Sequence, residues 1–258
     1  MEPRDLSAAV SMRRSEEASL AGSVALVTGA SSGVGRAIAV SLAHYGAFVC
    51  AAGRNRKRLG ETIAQTEPGT LAIPFQADLT LDASINQVDE LLRKEFARLD
   101  ILVHSSGSIQ HSPMASAHLE DLDRQYTADV RAPYALTKAL LPMLKASRGQ
   151  IIFINSSLGL TAQRPEVGQF AATQHAMKAI ADSLRQEVNA DGIRVMSLFL
   201  GRTATPRQER LYREEGRVYQ PELLMQPEDV AEVVVCALAL PRTAEITDVS
   251  MRPLTKSY

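Results

Sequence analysis

The residues best suited to ligand chemistry near the amino terminus form a glycine-rich run at positions 28–36, with the sequence TGASSGVGR. A β-branched stretch precedes this run and a pattern with helical spacing follows it. Glycines let the backbone turn tightly and approach a phosphate, while the free N–H groups at a helix start attract negative charge. Strand, glycine turn and helix together indicate a pyrophosphate site. The residues expected to line it are Gly29, Ser31, Ser32, Gly33, Val34 and Gly35.

The end of the second predicted strand offers a positive charge to the same ligand. Its sequence, Gly53-Arg54-Asn55-Arg56, lacks the carboxylate that would hydrogen-bond a ribose 2′-hydroxyl and repel a 2′-phosphate. The Arg54 guanidinium has the planar fork that suits a phosphate. A solvated basic helix start is the alternative interpretation. We favour the phosphate interpretation, which predicts NADP(H) as the cofactor.

The spacing TGxxxGxG resembles the short-chain dehydrogenase/reductase family, and four further segments match in order. They are Asp78 in QADLT, residues 104–107 (HSSG) where the family usually has NNAG, Ser156 in NSSLG, and residues 201–206 (GRTATP) where it usually has a PG turn. The resemblance covers the chain from about residue 22 to 250 and implies a Rossmann-like fold. It also implies that Asp78 contacts the adenine edge and that Thr203 or Thr205 contacts the nicotinamide carboxamide. Leu79, Ser106, Gly107 and Gln174 are the remaining cofactor contacts that it implies.

The catalytic positions of that family are changed in this chain. Hydride delivery to a carbonyl builds negative charge on oxygen, so a site must polarise that oxygen and supply a proton. The family uses Ser, a Tyr-x-x-x-Lys pair and an Asn on the preceding helix. Here Ser156 is kept, or Ser157 if the loop is one residue shorter. Phe170, Gln174 and Asp129 stand where Tyr, Lys and Asn are expected.

These substitutions predict cofactor binding without the usual proton relay. A positioned general acid contributes about 10² to 10⁴ in rate, so ordinary ketone reduction should be crippled by a phenylalanine at position 170. Gln174 can still hydrogen-bond ribose hydroxyls. Asp129 and His104 are candidate substitutes for the acid, each with a structural role as the alternative. We expect His175 to face away from the site.

Three functions therefore remain open at this stage. The first is an NADP(H)-dependent oxidoreductase acting on an imine, an iminium or another pre-activated substrate, which needs no protein acid. The second is a redox-inactive cofactor-binding protein or partner subunit. The third is a repurposed pocket that performs non-redox chemistry with Asp129 or His104 as acid or base.

Seven apolar runs alternate with helix-period segments, which predicts a parallel sheet covered by helices. The runs lie at residues 23–28, 47–52, 71–75, 101–105, 150–155, 193–199 and 245–250. The predicted fold class is α/β, a Rossmann-like doubly wound parallel sheet of about seven strands in three αβα layers. A stripe from Tyr126 through Val130, Tyr134 and Thr137 to Leu144 predicts a helix with Tyr126 in the core. Pro227, followed by two acidic residues, predicts a helix start.

The predicted domain organisation is a disordered tail over residues 1–22 and a single NADP-binding domain over residues 23–258. A charged segment near residues 201–226 is expected, by the same resemblance, to cover the substrate. Its arginines could steer an anionic ligand. Side chains of opposite charge four residues apart, such as Arg210 and Glu214, favour a solvated helix instead.

The composition excludes several classes of partner. The 28 basic and 29 acidic residues give a net charge of −1, which provides no electrostatic case for nucleic acid or an anionic membrane. The most apolar segment, residues 233–240, is shorter than the roughly 20 residues of a membrane span. We expect both cysteines, Cys50 and Cys236, to be buried and unpaired, which suits the cytoplasm. No metal site is predicted. The resemblance implies a homodimer or homotetramer through the helices at residues 126–144 and 170–187.

Overall fold

The strands of the predicted αβα fold are present in one parallel sheet. The computed structural model describes residues 20–162 and 164–255. The strands are β1 (Val24–Thr28), β2 (Phe48–Gly53), β3 (Ala72–Gln76), β4 (Ile101–His104), β5 (Gln150–Ser156), β6 (Arg194–Leu200) and β7 (Asp248–Met251). They pair in the order β3-β2-β1-β4-β5-β6-β7. Each lies within three residues of a predicted apolar run, so the fold class is confirmed.

Helices cover both faces of this sheet. They are α1 (Gly33–His44), α2 (Arg56–Ile63), α3 (Asp82–Glu95), α4 (Leu119–Tyr126), α5 (Ala132–Ser147), α6 (Gly168–Val188), α7 (Pro206–Glu214) and α8 (Pro227–Leu238). Helices α1 and α8 share one apolar core with the sheet, and α3, α5 and α6 share the other. The predicted start of α8 at Pro227 is confirmed, and a reciprocal pair of bonds between Gln226 and Asp229 caps it.

The order of the strands reverses between β1 and β4. These two strands are parallel neighbours with Val27 opposite Val103, so their carboxyl ends reach the same edge of the sheet. The chain leaves β1 for a helix on one face, while the crossovers around β4 lie on the other face. The loops that follow the two strands therefore diverge and leave a crevice, which is where ligands bind in open α/β sheets.

A π-helical turn between α4 and α5 makes the predicted position of Tyr126 wrong. Tyr126 is 52% exposed and Tyr134 is 55% exposed, whereas Val130, Thr137 and Leu144 of the same predicted stripe are buried. The turn spans Thr127–Arg131 and closes its hydrogen bonds over five residues instead of four. The extra residue rotates the side chains after the turn relative to those before it. Residues that are three or four positions apart in the sequence therefore do not all lie on one face of the helix.

The two cysteines lie in different environments, so the expectation that both are buried is wrong for one. Cys50 is buried in β2, and burial raises the pKa of its thiol to about 12. Cys236 is exposed because it lies on the solvent side of α8, between the buried Val235 and Ala237. No helix in the described part of the chain is long and apolar enough to cross a membrane.

The predicted disordered tail falls almost wholly outside the described residues. Of residues 1–22, only the last three are described. Leu20 is buried in the core cluster, and its N–H donates to the carbonyl of Tyr45 over 2.8 Å.

Candidate cofactor and active site

One cleft of about 1130 Å³ opens at the carboxyl edge of the sheet. Its volume lies just above the roughly 300–1,000 Å³ of small-molecule pockets, which suits a dinucleotide with a small second ligand. The predicted cofactor residues all line it, namely Gly29, Ser31, Ser32, Gly33, Val34, Gly35, Arg54, Asp78, Leu79, Ser106, Gly107, Gln174, Thr203 and Thr205. The family catalytic positions Ser156, Asp129 and Phe170 line it too. The fold thus brings together residues that are far apart in the sequence.

The glycine turn after β1 is packed backbone against backbone. Gly29 has a φ of +68°, and a Cβ there would lie 2.7 Å from the carbonyl oxygen of Ser105. A Cβ on Gly35 would lie 2.5 Å from the carbonyl oxygen of Gly29. At the start of α1, the side chain of the N-cap residue Ser32 makes no capping bond within the described structure. The first N–H groups of α1 are therefore available to an anion, so this turn fits a pyrophosphate.

Gly35→Ala is expected to distort this turn, and Gly60→Ala is its control. The new methyl group at position 35 would overlap backbone, which typically destabilises a protein by about 1–3 kcal/mol. A Cβ on Gly60, in α2, meets no atom within 4 Å, so alanine should stabilise that helix by about 0.5–1 kcal/mol. Thermal unfolding and calorimetric titration with NADP+ should show lower stability and weaker binding for G35A only. Equal behaviour of the two variants would contradict this prediction.

Thr28 joins the two sides of the crevice. Its hydroxyl donates to the carbonyl of Val103 over 3.2 Å and accepts the N–H groups of Ser105 and Ser106 over 3.0 and 3.1 Å. These bonds satisfy the hydroxyl and fix the loop after β4, which carries Ser106 and Gly107. We did not predict Thr28 as a site residue, although it is the threonine of the TGxxxGxG spacing.

Arg54 and Asp78 follow the ends of β2 and β3, and Gly53, which precedes Arg54, lies next to Ser31 of the glycine turn. Arg54 is exposed, and Gln76 Nε2 donates to its backbone carbonyl over 3.1 Å. Within the described residues, no carboxylate forms an ion pair with the Arg54 guanidinium. The Asp78 carboxylate accepts the N–H and the hydroxyl of Thr80 over 3.1 and 2.7 Å. Asp78 is therefore held by its own turn, while the Arg54 side chain remains available to a ligand.

Ser156, Phe170 and Gln174 lie together on the wall formed by β5 and α6. Phe170 is 6% exposed and lies at the start of α6, where it presents a ring without a hydroxyl group. Gln174 Oε1 accepts the backbone N–H of Ser156 over 3.0 Å. Ser156, and not Ser157, is the serine of this segment that lines the cleft. Gln174 thus supports the serine segment and contributes an amide where the family usually has an ammonium group.

Asp129 is held in the π-helical turn, between the loop after β4 and α6. Its Oδ1 accepts the N–H of Ser108 over 2.6 Å, and its Oδ2 lies 3.1 Å from the hydroxyl of Thr173. That hydroxyl also lies 2.8 Å from the carbonyl of Phe170. The Thr173 hydroxyl can donate its single hydrogen to either acceptor, so it links Asp129 to the first turn of α6.

Burial has the largest effect on the protonation of Asp129. Burial raises the pKa of its carboxyl to about 6, against the opposing effects of the Ser108 bond, the Arg207 charge and the Thr173 bond. The carboxyl can therefore change its protonation state near neutral pH while it lines the cleft.

His104 has a structural environment. Its Nε2 lies 2.8 Å from the hydroxyl of Thr137, and its ring stacks on Phe153 at a centroid distance of 4.8 Å. Burial lowers the pKa of the imidazole to about 3, so the ring is neutral at physiological pH. His175 is exposed on α6, outside the cleft, and its Nδ1 lies 2.8 Å from the carbonyl of Ala171.

Comparison with known proteins places this arrangement in a family. The family model described as short chain dehydrogenase matches residues 23–216. The chain belongs to this family of oxidoreductases. It is 32% identical over 232 residues to an uncharacterized oxidoreductase of Staphylococcus epidermidis. The alignment covers 90% of this chain and 97% of that relative.

Solved structures of the same fold agree with this assignment. The closed form of a serine dehydrogenase complexed with NADP+ superimposes with a TM-score of 0.83 and 28% identity, over 91% of this chain and 96% of that chain. A short chain dehydrogenase of Shigella flexneri complexed with NADP has a TM-score of 0.80 and 27% identity, over 91% and 98% of the two chains.

Part of the charged segment near residues 201–226, which follows β6, is a regular helix. It forms α7, with the predicted ion pair of Arg210 and Glu214 at 3.4 Å. The interpretation as a solvated helix is incomplete, however, because Arg207 and Arg210 reach across the cleft to backbone carbonyls of the loop after β4. The sequence contains no signal that separates Arg207 from the other arginines of α7.

Asp129 and His104 should give this short-chain dehydrogenase opposing contributions to its pH stability. Between about pH 4 and 6 the native chain retains the Asp129 proton that the unfolded chain has lost, so stability falls as the pH rises through this window. Between about pH 3 and 6.5 the unfolded chain binds a proton that native His104 excludes, so stability falls as the pH drops. In the parent protein, these two opposite dependences of the unfolding free energy on pH partly cancel.

Asp129→Asn removes the loss of stability that Asp129 causes as the pH rises and leaves the effect of His104 in place. The unfolding free energy of the variant should therefore increase relative to that of the parent as the pH rises from 4 to 6. Two units of pKa correspond to about 3 kcal/mol, which is the upper limit of this gain. Urea unfolding of both proteins across that range measures it. A difference in unfolding free energy that does not change with pH would contradict the prediction.

Proposed function

We propose that this protein is an NADP(H)-dependent oxidoreductase whose substrate needs no proton from a phenol group. Iminium ions and other pre-activated compounds belong to this class, and imines join it once solvent has protonated the nitrogen, which supplies the proton before hydride transfer. The proposal rests on one observation. The cleft is lined by all the predicted cofactor residues, and Phe170 and Gln174 line it where a phenol and an ammonium group would be expected. The cofactor supplies the hydride, and an iminium already carries the positive charge that hydride neutralises.

The choice of NADP(H) rests on Arg54, whose guanidinium is exposed beside the glycine turn and unpaired among the described residues. A guanidinium binds a phosphate more strongly than a hydroxyl. The solved relatives at 27% and 28% identity that contain NADP agree with this choice. Asp78 and Leu79 would then contact the adenosine, and Thr203, Thr205 and Gln174 the nicotinamide half.

A substrate panel tests this function. Consumption of NADPH, followed by its absorbance, is measured with ketones, aldehydes, preformed imines and cyclic iminium ions. We expect turnover of imines or iminium ions and little turnover of ketones. The Gly35→Ala variant, with an obstructed turn, is the control for activity that depends on the cleft. Binding of NADPH without turnover of any class would favour the redox-inactive alternative.

A non-redox reaction is the remaining candidate, and the geometry favours Asp129 over His104 as its acid or base. Asp129 lines the cleft with a pKa near 6, whereas His104 is neutral and bonded to Thr137. If the cofactor binds but is not oxidised, a reaction that Asp129→Asn abolishes and His104→Asn leaves unchanged would support this candidate.

We also infer a homodimer or homotetramer, a single domain over residues 23–258 and a cytoplasmic location, all of which remain predictions. The exposed rings of Tyr126 and Tyr134 support an interface on α4 and α5, because large aromatic side chains are enriched at interfaces. Light scattering after size exclusion measures the mass of the assembly.

A further inference from the structure

Arg207 lies at the point where α7 meets the glycine turn. Two residues before it, Thr205 accepts the N–H of Gln208 over 3.1 Å and so caps α7. The methyl group of Thr205 packs on the glycine turn, because a Cβ on Gly33 would lie 2.9 Å from it. The start of α7 is therefore fixed against the residues that begin α1.

From this position Arg207 spans the cleft. Its Nη2 donates to the carbonyl of Gly107, on the opposite wall, over 2.6 Å. One turn later, Arg210 Nη2 lies 3.4 Å from the carbonyl of Ile109 on the same loop. A guanidinium has five N–H donors, and the bond to Gly107 uses one of them. The side chain of Arg207 thus crosses the space between the start of α1 and the loop after β4, with donors left for a ligand.

The charges around Arg207 favour an anion. Arg207 lines the cleft and is exposed to solvent. Desolvation by the surrounding protein atoms lowers the pKa of its guanidinium, and the nearby Arg210 and Arg54 act in the same direction. Asp129 is the carboxylate that opposes this effect. These three guanidinium groups and one carboxylate leave an excess of positive charge around Arg207. A bound anion beside Arg207 would reduce this repulsion.

We propose that Arg207 binds the pyrophosphate of the dinucleotide. The proposal rests on the proposed function, since it needs a dinucleotide on the glycine turn. It assigns Arg54 and Arg207 to different phosphates of one ligand: Arg54 recognises the 2′-phosphate and Arg207 the pyrophosphate, which NADP+ and NAD+ have in common. The two arginines should therefore differ in which cofactor they affect.

Calorimetric titration with NADP+, NAD+ and ADP-ribose tests this assignment, and it suits a chain without tryptophan. Arg207→Gln should weaken all three ligands by the same factor of about 10 to 100, because each contains a pyrophosphate. Arg207→Lys should weaken binding less, since lysine retains the positive charge but lacks the planar guanidinium with its paired N–H donors. Arg213→Gln is the control, because Arg213 lies on the same helix, is 77% exposed and pairs with Glu209.

The possible failures are distinguishable. Dinucleotide affinity that is unchanged in Arg207→Gln, with a raised KM for the substrate, would assign Arg207 to an anionic substrate and overturn the proposal. A loss confined to NADP+ would overturn it too, because that result places Arg207 at the 2′-phosphate. If the parent protein binds none of the three ligands, the proposed function itself fails. Thermal unfolding of each variant shows whether the fold is retained.

Discussion

Phe170→Tyr combined with Gln174→Lys is expected to raise ketone reduction with NADPH by about 10²-fold or more over the parent. The double variant supplies the acid and the ammonium group that the family uses, and positioned general acid catalysis contributes about 10² to 10⁴ in rate. Phe170 already lines the cleft, and Gln174 lies within hydrogen-bonding distance of the Ser156 backbone. The rate of NADPH oxidation with a panel of simple ketones measures the gain.

Asp129 determines how this experiment should be designed. The hydroxyl of Thr173 lies 3.1 Å from Asp129 Oδ2 and 3.4 Å from Gln174 Nε2, so a lysine at position 174 could pair with Asp129 instead of the cofactor. A triple variant with Asp129→Asn removes this competitor and restores the family's usual asparagine. Phe170→Leu with Gln174→Lys is the matched control, because it changes the ring without adding a hydroxyl group. An inactive triple variant that still binds NADPH would show that the pocket differs beyond the relay.

Arg54→Asp is expected to reverse the preference of the protein between the two cofactors. Loss of a charge-assisted bond to the 2′-phosphate should weaken NADP+ binding by about 10- to 100-fold. The new carboxylate can accept a bond from the ribose 2′-hydroxyl, so NAD+ binding should improve. The backbone here is held by Gln76, which donates to the Arg54 carbonyl, so the substitution should leave the turn in place. Calorimetric titration with both cofactors measures the change.

Lys57→Asp provides the control for Arg54. Lys57 is exposed in α2 and lies outside the cleft lining, while the substitution changes the net charge by the same amount. If the effect of Arg54→Asp came from the general charge of the protein, Lys57→Asp would weaken NADP+ binding equally. That outcome, or an unchanged ratio of NADP+ to NAD+ affinity in Arg54→Asp, would contradict a contact between Arg54 and the 2′-phosphate.

Local sequence patterns were sufficient for the fold and for the nucleotide cradle. Short apolar runs and glycine spacing depend on a few neighbouring residues, and β1, the glycine turn and α1 are adjacent in the chain. Their structure follows from local sterics, so residues from Gly29 to Gly35 could be predicted. The prediction failed at Tyr126, where the π-helical turn changes the local period. It also failed at Cys236, where an apolar run was taken to be wholly buried although one side of α8 faces solvent.

By itself, the sequence determined the family and the glycine turn that begins its nucleotide cleft, and it predicted Phe170 and Gln174 at the positions where the family has a phenol and an ammonium group. Only the tertiary structure decided that Asp129 is buried beside Thr173, that His104 is held by Thr137, and that Arg207 reaches Gly107 across the cleft. These contacts join residues 33 to 100 positions apart. Burial and charge at such sites depend on which segments the sheet order brings together, and no local pattern encodes that order.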